Sequence, residues 1–99
     1  MTALKRPCLL VHKDTKEKFQ STFIIHAPVP TDHESEHSCV CEITGAPDVR
    51  TTIFGIDAIQ ATELSIRFLD SEFTSLTNEF DFYYTDGTPM TFFSSPMIK

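Results

Sequence analysis

Apolar and polar positions change period several times along this chain, and each change marks an element. Cys8-Leu9-Leu10-Val11-His12 is a short apolar run that reads as a first strand. The polar segment Asp14-Thr15-Lys16-Glu17-Lys18 reads as a turn, and Phe19 to His26, rich in Phe, Thr and Ile, as a second strand, so the two form a hairpin. Ala27 to Glu36 is the clearest loop, because Pro28 and Pro30 remove backbone donors and Thr31-Asp32-His33-Glu34-Ser35-Glu36 is polar. His37 to Ile43 reads as a third strand, with His37, Cys39, Cys41 and Ile43 on one face by the two-residue period. A turn at Thr44-Gly45-Ala46-Pro47-Asp48 leads into a fourth strand from Val49 to Phe54.

The period then lengthens. Asp57 stands where a side-chain oxygen caps free helix amides, and Gln60, three residues on, completes a variant of the capping box. The spacing predicts a helix from there to about Leu76. At 100° per residue Ala58, Ile59, Ile66, Leu69, Phe73 and Leu76 cluster, with Ala61, Leu64 and Phe68 beside them. Gln60, Glu63, Arg67, Asp70, Ser71 and Thr74 form the narrow polar stripe, and Glu63 and Arg67 stand i,i+4 in the order worth about 0.3 kcal/mol. An apolar arc this wide predicts broad packing on a sheet. Beyond Thr77-Asn78, Phe80, Phe82 and Tyr84 alternate with Asp81, Tyr83 and Thr85 as a half-buried strand. Asp86-Gly87 is a hairpin turn signal, and Met90 to Phe93 is the expected returning strand, with Pro89 at its start, where a missing amide costs least. The order β-β-β-β-α-β-β predicts one α+β domain over residues 1–99: an antiparallel sheet of about five or six strands with one long helix on one face, fraying at residues 1–6 and 95–99.

Composition narrows the function classes. The 99 residues include nine Phe and no Trp, enough for one modest core. The net charge is −6, unevenly spread. Lys5, Arg6, Lys13, Lys16 and Lys18 outweigh Asp14 and Glu17 by three in residues 1–18, whereas twelve carboxylates outweigh Arg50, Arg67 and Lys99 by nine in the remainder. Nucleic acid is disfavoured as a partner, since phosphate neutralisation needs clustered Lys and Arg. A basic protein is favoured, since opposite potentials raise association rates. The expected compartment is a bacterial cytoplasm: Met1 to Pro7 has no signal-peptide pattern, no run nears the roughly 20 apolar residues of a membrane span, and Cys8, Cys39 and Cys41 are an odd set suited to free thiols.

Candidate chemistry is thin. His33, His37, Cys39 and Cys41 are zinc-type side chains, but their H-x3-H-x-C-x-C spacing is unlike that of structural zinc sites, and alternate strand residues splay rather than converge. The favoured reading makes Cys39 and Cys41 small buried hydrophobes, with no cofactor and no metal. Cys8 with His12 or His26 lacks any accompanying nucleophile motif. Gly45, Gly55 and Gly87 are too far apart for a phosphate loop. The expectation is therefore a protein that is not an enzyme.

The helix entry Phe54-Gly55-Ile56-Asp57-Ala58-Ile59-Gln60-Ala61-Thr62-Glu63-Leu64 resembles a recurrent step in small uncharacterised bacterial α+β proteins. There an aromatic-Gly-hydrophobic-Asp step ends a strand and a Gln-Ala step opens a helix. The resemblance covers residues 50–76 well and implies structure alone: a Gly turn, an Asp cap and a small Ala for close packing. In size, acidity and lack of catalytic motifs the chain is also similar to immunity proteins of contact-dependent growth inhibition systems. That likeness implies a stoichiometric inhibitor of a basic, nuclease-like toxin domain. Asp32, Glu34 and Glu36 in the loop, and Glu63, Arg67, Asp70 and Glu72 on or near the helix stripe, are the expected partner-binding residues, followed by Asp81 and Tyr83. The alternatives are a homodimeric structural subunit, using Phe92, Phe93 or an uncovered sheet face, and a small metal protein or enzyme using the His/Cys cluster.

Overall fold

Alternation decides which side of each strand meets the helix. In a computed structural model, which describes residues 3–94, the elements are β1 (Leu4–His12), β2 (Lys18–Ile25), β3 (Val29–Pro30), β4 (His37–Thr44), β5 (Val49–Gly55), α1 (Ala58–Leu76) and β6 (Phe80–Tyr84). All pairings are antiparallel: β1 with β2 and β6, and β4 with β2, β3 and β5. β2 and β3 share one edge of β4, so the sheet runs β5, β4, β2/β3, β1, β6. The register passes from Ile25↔Cys41 to Val29↔Ser38, four steps on one strand against three on the other, which is a bulge. Helix α1 carries the chain over one face from edge strand β5 to edge strand β6. The fold is the expected α+β layout, with one six-stranded antiparallel sheet and one helix of 19 residues.

Cys8, Leu10, Phe23, Ile25, Cys39, Cys41, Ile43 and Phe82 point from the strands into the core beneath Ala61, Ser65, Leu69 and Phe73 of the helix. Phe23 is the hub of an aromatic cluster, with ring centroids 6.4 Å from Phe73, 6.2 Å from Phe82 and 4.8 Å from Phe93. Such pairs add about 0.5–1.5 kcal/mol each beyond the area they bury.

The helix cap forms as the spacing predicts. Asp57 Oδ1 accepts from Gln60 N at 2.8 Å, and Gln60 Oε1 reaches back to accept from Ile56 N at 2.8 Å. Just before the cap, Gly55 lies so close to the first helical turn that a Cβ there would stand 2.4 Å from Ala61 N. Ala61 is itself fully buried.

That contact sets the rotation of the helix and overturns part of its expected apolar face. The buried line is Ala61, Ser65, Leu69 and Phe73, whereas Ile59 is 71% exposed. Ser65 is tolerated in the core because its hydroxyl donates to Ala61 O at 2.9 Å, inside the helix. Asp70, expected on the polar stripe, is half-buried and accepts from Ser94 N and Ser94 Oγ. Glu63 and Arg67 are both exposed, and they form no ion pair among the described residues.

Three further expectations are corrected. β1 begins at Leu4, not Cys8, so residues 4–6 are strand rather than frayed end. Pro7 interrupts nothing: Phe82 O accepts from Met90 N, so Phe82 turns away from β1, and alternation then points Pro7 to the side of β1 that β6 leaves uncovered. The loop Ala27–Glu36 contains the short strand β3. Met90 to Phe93 is not a returning strand; one isolated bridge, Tyr83↔Pro89, is formed, after which Met90 and Phe93 turn into the core. The expected fraying at 95–99 lies outside the described residues.

Gly55→Ala should lower the unfolding free energy by roughly 1–3 kcal/mol, because the methyl meets backbone that cannot give way. Ile59→Ala should change it by less than about 0.5 kcal/mol despite the lost apolar bulk. Urea titration of both variants checks the corrected helix face.

Candidate functional site

The loop after β3 is short, polar and internally tied. Thr31 N donates to Glu36 O at 3.0 Å, Glu36 N to His33 O at 3.2 Å, and the Thr31 hydroxyl to Glu36 Oε1 at 2.7 Å. These bonds close the loop on itself, and Asp32, His33, Glu34 and Ser35 are exposed on it. The pairing of His37 with Gly55 brings its base beside the end of β5.

A groove of about 500 Å³ lies between the two. His33, Glu34 and Glu36 form one wall, and Phe54, Ile56 and Gln60 the other. Phe54, Ile56 and the nearby Ile59 are 56%, 69% and 71% exposed, so three large apolar side chains are left in water at the β5–α1 junction. No Lys or Arg lines the groove. Asp57 satisfies the helix amide beside it, which offsets the positive end of the helix dipole. The combination is an apolar surface rimmed by carboxylates, the arrangement that receives an apolar side chain flanked by Lys or Arg.

The other expected partner-binding residues do not join this surface. Glu63 and Arg67 are exposed along α1, and Glu72 is half-buried farther down it. The carboxylate of Asp70 is engaged with Ser94, tying the segment after Phe93 to the helix. Asp81 stands at the opposite edge of the sheet, its carboxylate 4.0 Å from Lys13 Nζ, and Tyr83 is half-buried beside Pro89. Among the expected residues, Glu34 and Glu36 line the groove, and Asp32 is exposed beside them in the same loop. Periodicity does not reveal the apolar half of the groove, Phe54 and Ile56, because both lie at the junction between strand and helix; the unbroken run Phe54-Gly55-Ile56 is the available signal.

The His/Cys set does not converge. Cys39 and Cys41 are buried in the core, where Cys39 Sγ donates to His26 O at 3.2 Å. His37 Nδ1 is 3.0 Å from Ser35 O, and His33 is exposed. No group of three or more potential metal ligands occurs among the described residues. Burial pushes the Cys8 thiol up to about 11, against the opposing pull of Arg6, and raises Cys41 as well. Neither thiol is an activated nucleophile.

A different cluster occupies the sheet face away from the helix. His26 Nε2 donates to Glu42 Oε2 at 2.5 Å, and Arg50 Nη1 donates to the same oxygen at 3.1 Å. The hydrogen bond from His26, aided by the Arg50 charge and opposed by burial, holds the Glu42 carboxyl below its usual value of 4.5. This cluster cross-links the chain just after β2 to β4 and β5.

No helix of the described residues is long and apolar enough to cross a membrane. No family model, curated protein or solved structure matches this chain.

Because the folded pKa of Glu42 is depressed, its contribution to stability is complete above 4.5 and is lost as pH falls through and below that value. Glu42→Gln should therefore destabilise at neutral pH and make stability less steeply dependent on pH in the acid range, as read by thermal unfolding across a pH series. Native protein at pH 8 should leave its three thiols unreacted with a disulfide reagent, whereas urea should release all three. Rapid reaction of even one thiol in the folded state would show that the burial is not maintained.

Proposed function

We propose that this chain is a stoichiometric inhibitor of a basic protein, and that it acts as an immunity protein for a bacterial toxin domain of the nuclease-like type. One observation carries the reading: an internally hydrogen-bonded acidic loop and exposed apolar side chains meet in one groove lined by no Lys or Arg. Exposed Ile and Phe side chains are costly in water unless something covers them at work, and a polar rim of one sign selects what that is.

In this reading Ile56 and Ile59 supply contact area, and Asp32, Glu34 and Glu36 select Lys and Arg on the target. The carboxylates chiefly raise the on-rate and exclude wrong partners, while the apolar centre slows release. Nothing in the mechanism requires chemistry from the inhibitor. A toxin active site that binds phosphates is itself lined with Lys and Arg, so a carboxylate-rimmed knob is complementary to it.

Immobilised protein should retain one basic protein from its native host at equimolar ratio, and high salt should release it. Glu34→Lys and Ile56→Ala should each weaken capture at least about tenfold, the scale of one hot-spot contact. Glu63→Lys, outside the groove, should leave capture nearly unchanged. Retention that is indifferent to Glu34→Lys and Ile56→Ala would remove the groove from the mechanism, and retention of no basic protein would remove the inhibitor reading.

A further inference from the structure

The two edges of the sheet are finished differently. At β6 the chain folds back over its own outer edge: Tyr84 N donates to Thr88 O and Met90 N to Phe82 O, both at 2.8 Å. At β5 nothing comparable occurs. Val40 O accepts from His26 N at 2.9 Å, so Val40 turns its backbone groups toward β2. By alternation its neighbours Cys39 and Cys41 turn toward β5, where Ile53 and Thr51 answer them. Arg50, Thr52 and Phe54 therefore turn their N–H and C=O groups outward. Among the described residues no backbone or side-chain group bonds them.

Open edges normally carry a Lys, a Pro or a bulge that prevents pairing. Val49–Gly55 has neither Lys nor Pro, and its register with β4 is unbroken from Ile43↔Val49 to His37↔Gly55. Its single charge, Arg50, donates to Glu42.

We propose that β5 is a self-association edge, pairing antiparallel with β5 of a second copy about a two-fold axis at Thr52. In that register Thr52 stands opposite Thr52, and Arg50 opposite Phe54 in both directions. Each outward N–H and C=O of these three residues finds a partner, and Thr51 meets Ile53 on the helix side. The strand is complementary to itself in side chains as well. Across the interface the exposed stem of Arg50, a side chain 65% exposed, packs on the ring of Phe54, 56% exposed, while its guanidinium stays on Glu42, a contact made twice. Phe54 also forms a wall of the groove that bears Glu34 and Glu36, so the incoming Arg50 approaches the negative end of its partner. This match selects a second copy over a foreign strand. The pairing shares Phe54 with the groove wall but leaves Ile56, Ile59 and the loop carboxylates outside it, and it is read from the mass of this chain alone, with no other protein present.

Sedimentation and light scattering over a micromolar concentration series test it. The full chain should pass from 11.2 kDa to twice that mass. Phe54→Lys places a like charge opposite Arg50 at two symmetric positions and should raise the dimer dissociation constant at least about tenfold, with unchanged circular dichroism. Thr52→Pro, which removes an outward donor, should do the same. The register has its own readout: Thr52→Cys should cross-link two chains with a short bifunctional thiol reagent far faster than Glu63→Cys. A mass that stays at 11.2 kDa throughout overturns the proposal. So does a dimer that survives Phe54→Lys and Thr52→Pro, or a Thr52→Cys chain that cross-links no faster than Glu63→Cys.

Discussion

The close approach of Gly55 to Ala61 is the constraint on which the rest of the structure depends. The chain must leave the edge strand β5 and immediately lay a helix over the sheet, and a side chain at residue 55 would fill the space the helix backbone needs. With no Cβ at 55 and a single methyl at 61, the first turn settles onto the end of the strand. Asp57 and Gln60 then satisfy the amides that such a sharp entry leaves open. Once the first turn is seated, the helix rotation is decided, and with it which side chains are core. Ala61, Ser65, Leu69 and Phe73 lie inside, and Ile59 lies outside.

The far end of the helix is held by different physics. Phe73 packs on Phe82 and Phe23, and Phe23 on Phe93, so strands from the middle and the edge of the sheet share one aromatic cluster with the chain beyond β6. Arg6 lies over Phe93 and donates to its carbonyl, while Asp70 takes both donors of Ser94. The segment after β6 is thereby a structural strap, which is why it abandons a regular hairpin once Met90 is reached. One carboxylate that charge alone assigned to a partner is spent on this strap.

Side-chain exposure at the β5–α1 junction has the opposite character. The contact that buries Ala61 pushes Ile56 and Ile59 into water, and the His37–Gly55 pairing carries the acidic loop alongside. One packing requirement thus produces both the rigid helix entry and the amphipathic groove on which the proposed inhibitor function rests. The uncapped edge of β5 adjoins the same junction, so the surfaces to which we assign external partners concentrate at one end of the sheet.

Local chemistry made much of this legible in the sequence. The two-residue period placed Cys39, Cys41 and Ile43 on one inward face, the Asp57/Gln60 spacing located the helix start, and the apolar arc carried it to Leu76. These signals depend on residues a few positions apart, and tertiary context did not override them. Helix rotation was not legible, because the apolar arc is wide enough to include both Ile59 and Ala61, which stand about 200° apart on the wheel; the Gly55 approach decides between them. Nor was the division of the carboxylates. Asp70 differs from Glu63 only through Ser94, 24 residues away along the chain, and Asp32, Glu34 and Glu36 gain an apolar counterpart only when β4 pairs with β5. Sequence determined the elements, the acidity and the inward faces, because these follow from backbone period and side-chain type. Tertiary structure decided which charges are free, which apolar groups stay in water and which strand edge stays open, because each depends on contacts between distant segments.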